Sequence, residues 1–259
     1  MKIATTSLAT VALLAGTSAY SAPIYEESFD YAAGNLSDAA EWTGSASVVS
    51  PGLTYGNLAT SGNTASVDNT NGRDTVDFSG FLDDGDTLWF SVLLNVKFGT
   101  NEGFGFALGT DNLNDNNGTT MSGSGNGFGI RGKGSFKAGY WENGGSNESG
   151  VGGGSSLTTA LVVGEMIFNA DSAQDDTINI YLPDTDLNLG SVVSSISATL
   201  DQTTFDTVGF AAKGSTSGDS VDEIRFGATY EDVSPIPEPG SLALMGLGGL
   251  MMIKRRRRG

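Results

Sequence analysis

The chain has 259 residues with no cysteine, no histidine and 38 glycines, and its 13 basic against 30 acidic side chains give a formal net charge of −17. Without Cys or His there is no disulfide framework, thiol nucleophile, imidazole base or ordinary N/S-ligated metal site, so any catalysis would rest on carboxylates. An acidic chain also lacks the basic footprint that nucleic-acid binding needs, and no nucleic-acid partner is expected.

The first segment joins Lys2 to an apolar stretch richest over 8–15 and then to small residues from Gly16 to Ser21. That order predicts a secretory signal peptide over 1–22, read by the Sec export machinery and signal peptidase. Thr17 with Ala19, or Ala19 with Ser21, suits the cleavage pocket; Tyr20 and Pro23 make the frame ending at Ala22 poorer. The expected body, 23–234, keeps 7 of the 13 bases and 29 of the 30 acids, a net charge of −22.

Within the body the strongest signal is 87–98, where Leu88, Phe90, Val92, Leu94, Val96 and Phe98 recur with a period of two and should face a core. Further strands are expected at 103–108, 127–132, 135–141, 161–169, 177–182, 207–212 and 222–230. Asp84-Gly85, Asn117-Gly118, Asn143-Gly144 and Pro183-Asp184 supply turn chemistry between them. From 99 to 154, 18 of 56 residues are Gly, so 122–127 and 144–156 read as mobile hairpin loops. Many short strands in a 212-residue body predict one all-β domain, a two-sheet antiparallel sandwich or jelly roll.

At the C-terminus three prolines between 235 and 239 precede an uncharged 14-residue stretch, 240–253, and then Lys254, Arg255, Arg256, Arg257 and Arg258. Fourteen helical residues cover about 21 Å, a marginal single hydrophobic helix whose basic end would stay cytoplasmic with the body outside.

Pro237, Glu238 and Pro239, the short Gly/Leu/Met span and the basic terminus resemble the PEP-CTERM protein-sorting signal of Gram-negative bacteria. The resemblance implies an exosortase-type membrane protease as partner, with Pro237–Pro239 as the processed site. A transient inner-membrane anchor would then give way to the cell surface or extracellular matrix.

The opening Glu27, Ser28, Phe29, Asp30, Tyr31, with Gly34, Leu36, Trp42, Gly52, Leu53, Tyr55 and Leu58, is similar to the start of concanavalin A-like (laminin G-like) jelly rolls. Residues 161–168, 179–183 and 221–227 resemble their middle and closing strands. The resemblance implies that 25–31 lies beside 224–230, and that Asp222, Glu223 and Arg225 form a polar cluster on the closing strand.

Such folds host lectins and glycosidases. The Glu-x-Asp-x-x-Glu strand of the related β-glucanases is missing, since no Glu here is followed two positions later by Asp, and adjacent Glu26 and Glu27 point to opposite faces. The expectation is therefore a non-catalytic structural or carbohydrate-binding body with exopolysaccharide as partner; a secreted glycoside hydrolase or lyase of the same fold is the alternative. Tyr140 and Trp141, where a strand runs into a Gly-rich loop, are the candidate glycan contacts. No cofactor is required; calcium is the natural cation for an acidic exported chain, with Asp83, Asp84 and Asp86 as weak candidates. The run Asp111, Asn112, Asn114, Asp115 and Asn117 is a second acidic group, and neither matches the EF-hand order.

Overall fold

The structure is a computed structural model that describes residues 22–39, 41–96, 103–110, 125–132, 134–143, 145–154, 159–171, 174–213 and 218–235. The signal segment, Phe98, the 111–117 group with Asn117-Gly118, Pro237–Pro239, the hydrophobic stretch and Lys254–Arg258 lie outside the described residues. Among the described residues no helix is long and apolar enough to cross a membrane.

The described residues of the body form sixteen strands: β1 Tyr25–Glu27, β2 Gly34–Asn35, β3 Trp42–Gly44, β4 Ser47–Val49, β5 Thr64–Ser66, β6 Asn71–Thr75, β7 Thr87–Asn95, β8 Gly103–Gly109, β9 Gly127–Gly132, β10 Phe136–Glu142, β11 Gly145–Glu148, β12 Ala160–Ile167, β13 Asp176–Tyr181, β14 Ser194–Ala198, β15 Thr207–Lys213 and β16 Ser220–Gly227. One short helix, α1 Tyr230–Val233, follows. The strands make two antiparallel sheets. The nine-stranded sheet runs β14-β13-β12-β7-β16-β5-β4-β2, with β1 also on β16, and the seven-stranded sheet runs β11-β10-β9-β8-β15-β6-β3.

The alternation predicted for β7 is present: Leu88, Phe90, Val92 and Leu94 are buried in the main core between the sheets. Phe90 meets Phe106 of β8 at 5.3 Å between centroids, and Phe106 meets Phe226 of β16 at 6.2 Å. Each such ring removed from water contributes roughly 1.5–3 kcal/mol. Phe90 fits only because Gly164 stands opposite it, where a Cβ would lie 1.9 Å from the ring.

The first and last strands do lie together, with Tyr25, Glu26 and Glu27 opposite Phe226, Arg225 and Ile224. Pairing stops there because Phe29 takes a positive φ of 51° and turns the chain away. Along β16 the edge partner changes from β5 to β1, and between Asp222 and Arg225 its register with β7 shifts. Glu223 sits in that bulge at φ 49°.

Strand β10 is followed by Asn143 at φ 49°, and Glu142 pairs with Gly145 of β11. Residues 145–148, expected as loop, are therefore an edge strand. β2 to β6 and β14 were also absent from the expected strands. Most are two to five residues long and carry Gly, Ser or Asn, so backbone pairing rather than apolar period defines them.

Candidate functional site

The outer face of the seven-stranded sheet holds most of the described positive charge. Because Phe104, Phe106, Leu108, Phe128, Ile130, Val208 and Phe210 point into the core, alternation turns their neighbours outward. One outward row crosses the sheet as Glu148, Gly139, Gly129, Ala107, Gly209, Arg73 and Thr43, one residue per strand from β11 to β3. The next row reads Lys137, Arg131, Gly105, Ala211 and Asn71. The glycines and alanines of these rows are buried small residues that extend about 14 Å across four strands.

Lys137 and Arg131 face each other directly across β10 and β9. Like charges in that position repel, and one carboxylate serves both: Glu148 Oε1 is 2.9 Å from Lys137 Nζ, and Glu148 Oε2 is 3.5 Å from Arg131 Nη1. Glu148 Oε2 is buried and accepts no hydrogen bond. The three side chains are 17–25% exposed, so this net-positive group is screened less than a free surface pair. Arg73 and Lys213 lie on the same face, Arg73 donating to Thr43 Oγ1 at 2.8 Å. Four of the five basic residues among the described ones therefore share one face, and Arg225 is the exception.

The candidate glycan contacts come apart. Consecutive strand residues point to opposite faces, so Tyr140 packs against the main core while Trp141 faces outward. Trp141 is only 1% exposed, packs against Ala107, and lies with its ring edge 3.7 Å from where a Gly139 Cβ would be. An indole packed against Ala107 and Gly139 of its own sheet offers no open ring face for stacking, which corrects the expectation for Trp141. Its Nε1 has no hydrogen-bond partner.

The calcium candidates are engaged in turns. Asp86 accepts from the Asp83 amide at 3.0 Å, and Asp84 accepts from Gln202 Nε2 at 2.9 Å. Among the described residues no group of three or more acidic side chains is placed to hold a metal ion.

Asp222, Glu223 and Arg225 are fully or almost fully buried. Asp222 accepts from the amides of Leu53 and Glu223 at 2.7 and 2.8 Å. Glu223 accepts from the Ser61 amide and from Arg225, which also donates to Glu26 at 2.9 Å and to the Ala59 carbonyl at 2.7 Å. Burial pushes the Asp222 carboxyl up to about 8 and raises Glu223 against the lowering field of Arg225. Together these residues tie the 53–61 loop to the closing strand. An acidic cleft of about 250 Å³ lies where β1 approaches β6. There Glu27 accepts from Tyr31 and Trp42 Nε1 at 2.7 and 2.8 Å, and Tyr25 donates to Asp74 at 2.9 Å. Burial raises Asp74 and Tyr25.

Sequence reading missed Arg131, Lys137 and Glu148. The alternation that separates Tyr140 from Trp141 also puts Lys137 and Trp141 on one face, and that signal was available in 136–142.

No curated protein matches the chain. Among solved structures it resembles the carbohydrate recognition domain of Emp46p in its metal-free form, at 12% identity and TM-score 0.48, over 79% of this chain and 96% of that one. An endo-β-1,4-glucuronan lyase from the fungus Trichoderma reesei matches at 15% identity and TM-score 0.43, over 82% and 98%. A protein of unknown function from Shewanella oneidensis MR-1 matches at 15% and 0.42, over 81% and 88%. The likeness is one of fold. Residues 235–258 match the PEP-CTERM protein-sorting motif, so the two-sheet body is followed by the signal of an exported protein handled at the membrane.

Proposed function

We propose that the exported protein is a non-catalytic carbohydrate-binding component of the cell surface or extracellular matrix, and that its ligand is a polysaccharide bearing carboxylate groups. The observation that carries this reading is the opposed pair Lys137 and Arg131 sharing one carboxylate, Glu148. An incoming uronate would relieve the repulsion between the two cations and meet a charge-assisted donor from each. The chain's −22 body charge argues against polyanions only as an average. At physiological salt a charge is felt over about 8 Å, so this face acts locally. Support for a binding rather than a catalytic role comes from the buried carboxylates Glu27, Asp74, Asp222 and Glu223, each held by donors of its own chain.

Binding of the purified body to a uronate-rich and a neutral polysaccharide, compared at low and moderate salt, tests this. The uronate-rich polymer should bind more tightly, lose affinity with salt, and lose it further in Lys137→Ala and Arg131→Ala. Equal affinity for both polymers would remove the electrostatic basis, and release of reducing or unsaturated sugar ends would make the protein an enzyme. Sorting is tested separately: Glu238→Ala should leave the C-terminal segment uncleaved.

A further inference from the structure

The last described residues are fastened to the outer face of the nine-stranded sheet. Helix α1 begins with a capping box in which Thr229 and Asp232 exchange hydrogen bonds. Tyr230 donates to the Leu187 carbonyl at 2.7 Å and packs 6.0 Å from the Trp89 ring. Val233 is fully buried, and its carbonyl accepts from Ser91 Oγ, in the middle of β7, at 2.5 Å. Ser234 is 4% exposed, and the Pro235 carbonyl accepts from the Ala59 amide at 3.1 Å. The clasp thus ends on Pro235, the first residue of the sorting motif.

Glu238 is three residues beyond that clamp, at most about 10–11 Å of extended chain. A protease cleft takes its substrate extended on both sides of the scissile bond, and here the upstream side enters the folded body almost at once. We propose that α1 and its clasp keep the chain upstream of the processing motif folded onto the body, so that the sorting protease acts on the chain only after residues 230–235 open away from the sheet. This rests on the sorting reading of Pro237–Pro239. Opening needs no global unfolding, because a four-residue helix at the end of the fold is a low-stability unit. When opening and closing are fast relative to cleavage, the processing rate follows the open population.

The full-length precursor is expressed in a host that carries the sorting protease, and its conversion is followed by mass. A six-residue Gly/Ser spacer between Pro235 and Ile236 should speed conversion several-fold by freeing the upstream side. Ser91→Ala combined with Tyr230→Phe removes two clasp hydrogen bonds while leaving the motif untouched, and should speed conversion by at least roughly five-fold. Wild-type rates in both variants, or slower conversion in either, would overturn the clasp. A chimera carrying 235–259 on a long flexible linker behind an unrelated exported domain separates the two ideas. An unprocessed chimera defeats the sorting reading, whereas a processed chimera with unchanged variants defeats the clasp alone.

Discussion

The outer faces of the two sheets are treated in opposite ways. On the nine-stranded sheet Leu93, Leu161, Val163 and Tyr181 point outward yet are buried, because Leu58, Leu187 and Tyr230 from two loops and α1 close over them. On the seven-stranded sheet the outward rows carry Gly, Ala and four cations, and their one large apolar side chain, Trp141, packs against Ala107 and Gly139. One face therefore serves as a second core that stabilises the fold and holds the chain's exit. The other buries Trp141, Ala107 and Ala211 as well, and leaves its four cations partly exposed.

The sharpest break of that contrast is Leu161→Ala, which should cost about 3 kcal/mol in a denaturant titration, as for a fully buried leucine with a partly collapsed cavity. On the opposite face two paired glycines of one outward row, Gly129 and Gly139, should differ. A Cβ at Gly129 would lie 1.9 Å from the Phe106 carbonyl oxygen, which is backbone and cannot swing aside, so Gly129→Ala should cost about 2 kcal/mol. At Gly139 the nearest atom is 3.2 Å away, and Gly139→Ala should cost less than about 1 kcal/mol; equal losses would mean the sheet adapts as a unit.

A smaller effect is pH-dependent. The folded state holds the Asp222 proton up to about pH 8, where an unfolded chain has released it near pH 4. Proton binding is then greater in the folded state across that window, so stability is highest at its acid end and falls as pH rises through it. Urea midpoints should drop from pH 4.5 to 8.5, and Asp222→Asn should narrow the drop; Asp74, Asp176 and Glu223, also raised by burial, keep part of it. Smallest of all is Lys137→Ala, within about 0.5 kcal/mol in stability while polysaccharide affinity falls. A large stability loss there would make Lys137 structural instead.

The sequence made β7, β8, β9, β10, β12, β13, β15 and β16 legible because each is long and carries an apolar period of two or a continuous buried run. It also placed the opening strand against the closing one. Short strands such as Gly34–Asn35 and Ser47–Val49 carry too few side chains for any period, and only their partners define them. The site was less legible for a different reason. Lys137, Arg131 and Glu148 sit on three strands and are ordinary surface residues one at a time; register, which no single strand records, brings them together. Trp141 misled because a large aromatic beside a glycine loop suggests display, whereas here it packs against Ala107 and Gly139 and is buried.

The bulged closing strand acquires another meaning once the protein is pulled rather than heated. A load applied beyond Pro235 reaches β16 through α1. That strand is laddered on one side to β7 and on the other to β5 and then β1, while Asp222, Glu223 and Arg225 bind it to the 53–61 loop. Force along the strand loads those bonds together in shear instead of opening them one by one. A protein held at this end would let its clasp go first and its sandwich last.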